Sequence, residues 1–187
     1  FADGSSGLHI INITSPSQPV LLGSLPTTYA QGVAVDGCIA YVCEGDIMGV
    51  GGGALSVLNV TDPRNPTLLG RYSTTDHCVG ISEAGGIAYI GGLASGFRVL
   101  NVTNPRSITL LSSYGVYAGD VFVTGDIAYV QDRSWGLHIF RVAYPTPLAL
   151  AGSYVTGTSL CDGGVFVAGG IAYVGDSMSL LLVNISN

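Results

Sequence analysis

The tetrapeptide Ile-Ala-Tyr-Val (or Ile) starts at Ile39, Ile87, Ile127 and Ile171, at spacings of 48, 40 and 44 residues. A recurrence of this period marks a solenoid or a propeller, in which each unit buries its apolar face on a neighbour. Ahead of each copy lies a short apolar strand: 32–35, 80–83, 120–123 and 164–167. Asp36-Gly37, Gly85-Gly86, Gly125-Asp126 and Gly169-Gly170 separate the two segments. Such dipeptides between apolar runs form tight hairpins that need positive φ. A third strand follows at 8–13, 55–60, 97–102, 137–142 and 181–185, and a fourth at 20–25, 68–72, 109–114 and 149–154. The loops between them carry prolines such as Pro16, Pro63, Pro105 and Pro145, which remove a ladder donor and end the strand. No segment has helical periodicity.

Four antiparallel strands repeated radially describe a propeller blade. The expectation is an all-β fold: a small β-propeller of about four four-stranded blades in a single domain, residues 1–187. Counted from the tetrapeptide, the repeats run about 1–38, 39–86, 87–126 and 127–170, with 171–187 partial. A β-sandwich is the alternative, but it would not require such regular four-strand units.

The third strands read Leu8-His9-Ile10-Ile11-Asn12, Leu55-Ser56-Val57-Leu58-Asn59, Phe97-Arg98-Val99-Leu100-Asn101, Leu137-His138-Ile139-Phe140-Arg141 and Leu180-Leu181-Leu182-Val183-Asn184. Together with the Ser/Thr-x-Pro turn and the strands Leu21-Leu22-Gly23-Ser24-Leu25 and Leu69-Gly70-Arg71-Tyr72, they resemble the LVIVD repeat. The resemblance covers essentially the whole chain. It implies a surface or secreted propeller and supplies no reaction. The Asp usual in the family is Asn in four copies and Arg141 in the fifth.

Strand counting raises the question of closure. The chain opens with a third and a fourth strand and ends with a first, second and third. Segment 20–25 could supply the missing outer strand of the last blade and close the ring. Segment 8–13 would then be a spare apolar strand, an aggregation hazard unless paired. Two routes follow: terminal strands that share ring closure, or donation to a neighbouring subunit, head to tail. A piece of a larger ring is a further reading.

Charged residues make up only 10% of the chain against about 25% in an ordinary domain, and all six basic residues are arginine. Mean hydropathy is +0.51, yet the apolar runs are a few residues long, far below the ~20 that span a bilayer as a helix. The strands are also shorter than the ~10 residues of a membrane barrel. Membrane insertion is therefore not expected, and a net charge of −6 without a basic patch argues against nucleic acid. The surplus apolar surface calls for cover by subunits or by glycans.

Candidate sites are few. Asn12, Asn59, Asn101 and Asn184 each begin an Asn-x-Ser/Thr sequon at one repeat position, just before a surface loop. Covalent glycans there would solvate a charge-poor surface; the plainer reading is a local turn former. Cys38 and Cys43 flank one strand about 16 Å apart and cannot bridge each other. Cys43 with Cys78, or Cys78 with Cys161 across the ring, are candidate disulfides, and the sequence does not choose. His77, Cys78, Cys161 and Asp162 have zinc-ligand chemistry without close ligand spacing. Asp3, Glu44, Asp132 and Asp176 share the end of the second strand, with Gly92 interrupting, and a ring of carboxylates could hold a cation such as Ca²⁺. The plainer reading is that each accepts N–H bonds from its own loop.

No nucleophile elbow, His-centred triad or phosphate loop is present, so no cofactor is expected. Asp120 and Glu83 are the remaining acid–base candidates. The tyrosines at 41, 89, 129 and 173 read as blade packing. The expected function is a non-enzymatic extracellular or cell-surface structural protein, self-assembling into a filament or layer through terminal strand exchange. The alternative is an adhesion module that binds a glycan or protein on a propeller face.

Overall fold

The computed structural model describes residues 1–45, 52–143, 147–156, 163–175 and 179–186. The described residues form strands and turns without a helix, and no helix is long and apolar enough to cross a membrane. The described residues form three complete blades. The first comprises β3 (Ala30–Asp36), β4 (Ile39–Glu44), β5 (Ala54–Asn59) and β6 (Thr67–Ser73). The second comprises β7 (Cys78–Ala84), β8 (Ile87–Gly92), β9 (Gly96–Asn101) and β10 (Thr109–Tyr114). The third comprises β11 (Ala118–Thr124), β12 (Ile127–Asp132), β13 (Gly136–Arg141) and β14 (Ala149–Val155). A two-stranded sheet, β1 (Leu8–Asn12) and β2 (Val20–Leu25), precedes them. A three-stranded sheet, β15 (Val165–Ala168), β16 (Ile171–Gly175) and β17 (Leu180–Asn184), follows. Every pairing is antiparallel, and β3, β7, β11 and β15 lie innermost, each against the next. The first and second strands are joined by turns whose glycines have the positive φ the hairpins demand, as at Gly37 (54°) and Gly125 (54°).

The core lies between sheets. Tyr41, Leu55 and Val57 of the first blade pack on Ile81, Ile90 and Leu100 of the second. Tyr89, Phe97 and Val99 of the second pack on Val121, Val130 and Phe140 of the third. Tyr129 and Leu137 then meet Val165, Ala172 and Val174 of the last sheet, and Leu8 and Ile10 of β1 meet Val42 and Leu58 of β4 and β5. Each interface joins the same two blade faces. Alternation along a strand sends odd and even residues to opposite faces, so one strand serves two interfaces. The repeated tyrosines are accordingly 5–7% exposed in the complete blades.

Two features of the repeat become visible only in three dimensions. The pairing of third with fourth strands shifts register at one place in all four copies, leaving Leu22, Leu69, Leu111 and Ala151 as the extra residue. This is a β-bulge, which bends the outer strand. The following residue is Gly23, Gly70, Ser112 or Gly152, and at Gly23 and Gly70 the proline loop of the next blade seats against it. A Cβ at Gly70 would collide with the Pro105 carbonyl, and one at Gly23 with that of Pro63. The Leu-Leu-Gly strand and the proline turn are thus two halves of one inter-blade contact.

Closure differs from the sequence expectation. Segment 8–13 is not spare: β1 pairs with β2 across five positions from Leu8↔Leu25 to Asn12↔Val20. Residues before β1 extend that sheet, because Ala2 bridges Leu8 and the Phe1 carbonyl accepts the His9 N–H. Segment 20–25 therefore does not complete the last sheet, whose order ends at β17. Local pairing prevails because a short loop closes β1 on β2 at lower entropic cost than bringing the two chain ends together.

Candidate functional site

One face of the repeat carries the loops joining second to third strands, and the carboxylates gather there. Asp3 lies 3.3 Å from His9 Nε2, and Asp132 lies 3.0 Å from His138 Nε2. Glu44, 4% exposed at its side chain, pairs with Arg71 at 3.0 Å and accepts the Thr28 N–H at 3.4 Å. Asp132 also accepts the Ser134 N–H at 2.8 Å. The second blade has Gly92 at this position, and Asp76 from the preceding loop takes over, its Oδ2 accepting the N–H groups of Ala94 and Ser95. Each of these carboxylates is engaged locally, by a partner on its own blade or by loop N–H groups, although Asp76 Oδ1 is buried without a hydrogen-bond partner. They do not converge into a ring: among the described residues no group of three or more His, Cys, Asp or Glu could hold a metal. Asp176 lies outside the described residues.

The sequon asparagines all adopt one turn. The Oδ1 atoms of Asn12, Asn59, Asn101 and Asn184 accept the N–H two residues on, from Thr14, Thr61, Thr103 and Ser186, at 2.9–3.0 Å. These are Asx turns, the local turn former anticipated for this position. They occupy Oδ1, whereas a glycan would be carried on Nδ2.

Cys43 and Cys78 form a disulfide between β4 and β7, fully buried between the first two complete blades. This selects one of the pairings left open by the sequence. It also removes the zinc alternative, because Cys78 has no thiolate to offer; Cys161 and Asp162 lie outside the described residues. Cys38 is free and exposed. His77 is engaged with Gln31, Nδ1 to Nε2 at 3.3 Å.

The acid–base candidates are separated. Burial raises the pKa of Asp120, against the N–H donors of Val165 and Val121 that lower it. Its Oδ2 accepts the Val165 N–H at 2.9 Å, linking β11 to β15. Burial likewise raises that of Glu83, whose Oε1 accepts the Gly86 N–H at 2.8 Å. Asp120 is the third residue of β11 and Glu83 the sixth of β7, so the two lie on different inner strands and toward opposite ends of them.

Two inter-blade grooves open on the carboxylate face. One, of about 600 Å³, lies between the second and third complete blades and is lined by Tyr114, Tyr117, Asp132, Trp135 and His138. The other, about 480 Å³, lies between the first sheet and the first complete blade, with Leu25, Thr28, Glu44 and Arg71 in its wall.

The two end sheets each present one uncovered face. On the last, Leu180 and Leu182 are 60% exposed and Phe166 56%, whereas Leu55 and Val57, which hold the positions of the two leucines, are at 0%. On the first, Phe1 is 68% exposed, Ile11 40% and Ile13 70%. Their counterparts Val42 and Leu58 are at 0% and Val102 at 2%. A cleft of about 430 Å³ runs beside β17, walled by Tyr129, Ile139, Tyr154 and Val183, where a fourth strand of that blade would lie.

Radially repeated four-stranded antiparallel sheets with shared face-to-face cores define a β-propeller. The chain belongs to the LVIVD repeat family, whose profile matches residues 1–27, 28–74, 115–156 and 163–187. Residues 75–114 fall outside that match and yet contain the second complete blade. A search of curated proteins found none that matches the sequence. Among solved structures, the computationally designed Ika4 protein superposes with a TM-score of 0.67 at 12% identity, covering 88% of this chain and 98% of that one. The computationally designed Ika8 protein gives 0.71 at 11% identity, covering 98% of this chain and 54% of that one. At these identities the likeness shows the fold alone.

Proposed function

We propose that this protein is a non-enzymatic, extracellular building block that stacks end to end. The observation that carries the proposal is the relation between its two uncovered faces. The free face of the last sheet is the one that, in each complete blade, covers the following sheet. The free face of the first sheet is the one that each complete blade offers to its predecessor. A second copy presenting Phe1, Ile11 and Ile13 to Leu180, Leu182 and Phe166 would repeat the contact used inside the chain.

Such a contact is heterologous: it closes a ring if the rotation suits and otherwise grows a filament. Burying these six half-exposed side chains is worth about 5–10 kcal/mol, taking ~1.5–3 for each large apolar side chain when fully buried. That is comparable with the ~4–15 kcal/mol cost of association, so apolar contact alone gives weak assembly. Strand pairing along the open edge of β17, with a strand filling the adjacent cleft, would strengthen it. The Cys43–Cys78 disulfide supports an oxidising location, and charge scarcity supports a surface covered by copies or by glycans at the sequons.

The test uses two blocked variants, Ile13→Asp on the first face and Leu182→Asp on the last. By light scattering, wild-type protein should grow in mass with concentration, and each variant alone should remain at 19.1 kDa. An equimolar mixture should yield dimers, since one open face of each kind survives. Wild-type protein that stays monomeric at millimolar concentration overturns the proposal.

A further inference from the structure

The two inter-blade grooves occupy the same place in the repeat but differ in lining. The groove between the first sheet and the first complete blade has aliphatic and hydroxyl side chains and the Arg71–Glu44 ion pair. The groove between the second and third complete blades has three aromatic rings instead: Trp135 (63% exposed), Tyr117 (43%) and Tyr114 (38%). Blade packing does not call for rings here, since the companion groove is built without them. Three half-exposed aromatic side chains converging in one cavity are costly to leave bare in water and mark a binding site.

The rings stand on a fixed base. Tyr114 packs edge to face on Phe140, with ring centroids 4.9 Å apart. The Trp135 backbone is tied at both ends, its N–H to the Asp132 carbonyl at 3.3 Å and its carbonyl to the Thr156 N–H at 3.0 Å. Asp132 is 2% exposed, with Oδ1 held by the Ser134 N–H and Oδ2 by His138. The loop is therefore ordered before any ligand arrives, which lowers the entropic cost of binding.

The lining also selects the chemistry. An aromatic cage for a quaternary ammonium works best with an uncommitted carboxylate nearby, and Asp132 is buried with both oxygens engaged. A purely apolar ligand would leave the Ser134 and Tyr117 hydroxyls without partners on binding. A pyranose ring suits both halves: one face is C–H bonds that lie on an electron-rich ring, and its edge carries hydroxyls that donate and accept. We propose that this groove binds a neutral hexose unit, its C–H face on the Trp135 indole and its hydroxyls at Ser134 and Tyr117. This proposal is independent of end-to-end stacking, because the groove lies between blades and away from both free end faces.

Trp135 is the single tryptophan of the chain, so its emission reports this groove alone. The experiment titrates the protein with methyl glycosides and trisaccharides of glucose, galactose, mannose and N-acetylglucosamine. At least one should shift the emission saturably in the millimolar range. Tyr117→Ala, which retains the reporter, should weaken that binding at least fivefold with the circular dichroism spectrum unchanged. Trp135→Ala should abolish saturation transfer to the same sugar in NMR, and Ser134→Ala provides a second, less disruptive weakening. Leu182→Asp should bind as wild type does. The proposal is overturned if no saccharide gives a saturable response, or if tetramethylammonium chloride gives one and the sugars do not.

Discussion

Replacing Cys43 and Cys78 together by alanine removes the covalent tie between the first two complete blades. The two residues are 35 apart in sequence, so the disulfide closes a loop of that length in the unfolded chain. Loop-closure entropy for such a loop is worth about 4 kcal/mol at 25 °C. Both sulfurs sit at fully buried positions, and their removal leaves a small void that adds roughly 1 kcal/mol. A total loss near 5 kcal/mol consumes much of the ~5–15 kcal/mol that stabilises an ordinary domain. The assay is urea unfolding followed by Trp135 emission and by circular dichroism. At a slope of about 2 kcal/mol per molar urea the midpoint should fall by ~2–2.5 M. Wild-type protein unfolded with a reductant present should fall by nearly as much, the difference being the void. A midpoint within ~0.5 M of the oxidised protein would refute the loop-closure reasoning.

Gly70→Ala places a Cβ against the Pro105 carbonyl of the next blade and should cost about 1–3 kcal/mol, read as a lower thermal midpoint. Gly152→Ala, at the same repeat position where a Cβ meets nothing within 4 Å, should be close to neutral. Asp120 has a folded-state pKa raised by burial, so its contribution to stability is full below the unfolded value near 3.8 and is lost as pH rises through the folded one. Asp120→Asn keeps an acceptor for the Val165 N–H and removes the charge. The variant should gain on wild type in urea midpoint as pH rises above 4, and a constant difference across pH would contradict this. In unglycosylated protein, Asn59→Asp keeps the acceptor for Thr61 N–H and should leave the thermal midpoint unchanged, whereas Asn59→Ala should lose about 1 kcal/mol.

The propeller was legible because its information is local and repeated. Ile-Ala-Tyr, the hairpin glycines and the proline loops recur often enough that strand limits follow by alignment: 20–25 and 109–114 fall where periodicity puts them, and β17 (Leu180–Asn184) lies one residue ahead of the expected 181–185. Asx turns at the sequons were legible for the same reason, since an Asn two residues before its N–H partner needs no distant element. The bulge before Gly23, Gly70 and Gly152 was not, because an extra residue shows only against its partner strand. Nor was the choice of Cys43 with Cys78, which depends on how closely β4 approaches β7.

Closure was decided by tertiary structure alone. The sequence determined which strands exist, but pairing β2 with β1 or with β17 satisfies the same alternation and the same ladder. The three-dimensional chain takes the local partner, and that leaves Leu180, Leu182, Ile11 and Ile13 uncovered at its two ends. The aromatic groove arose in the same way. Tyr114 and Tyr117 flank the turn after β10, Trp135 lies between β12 and β13, and only the packing of one blade on the next brings the tryptophan to the cavity the tyrosines line. Periodicity records what each blade is; what meets between blades depends on distances that the linear order does not contain.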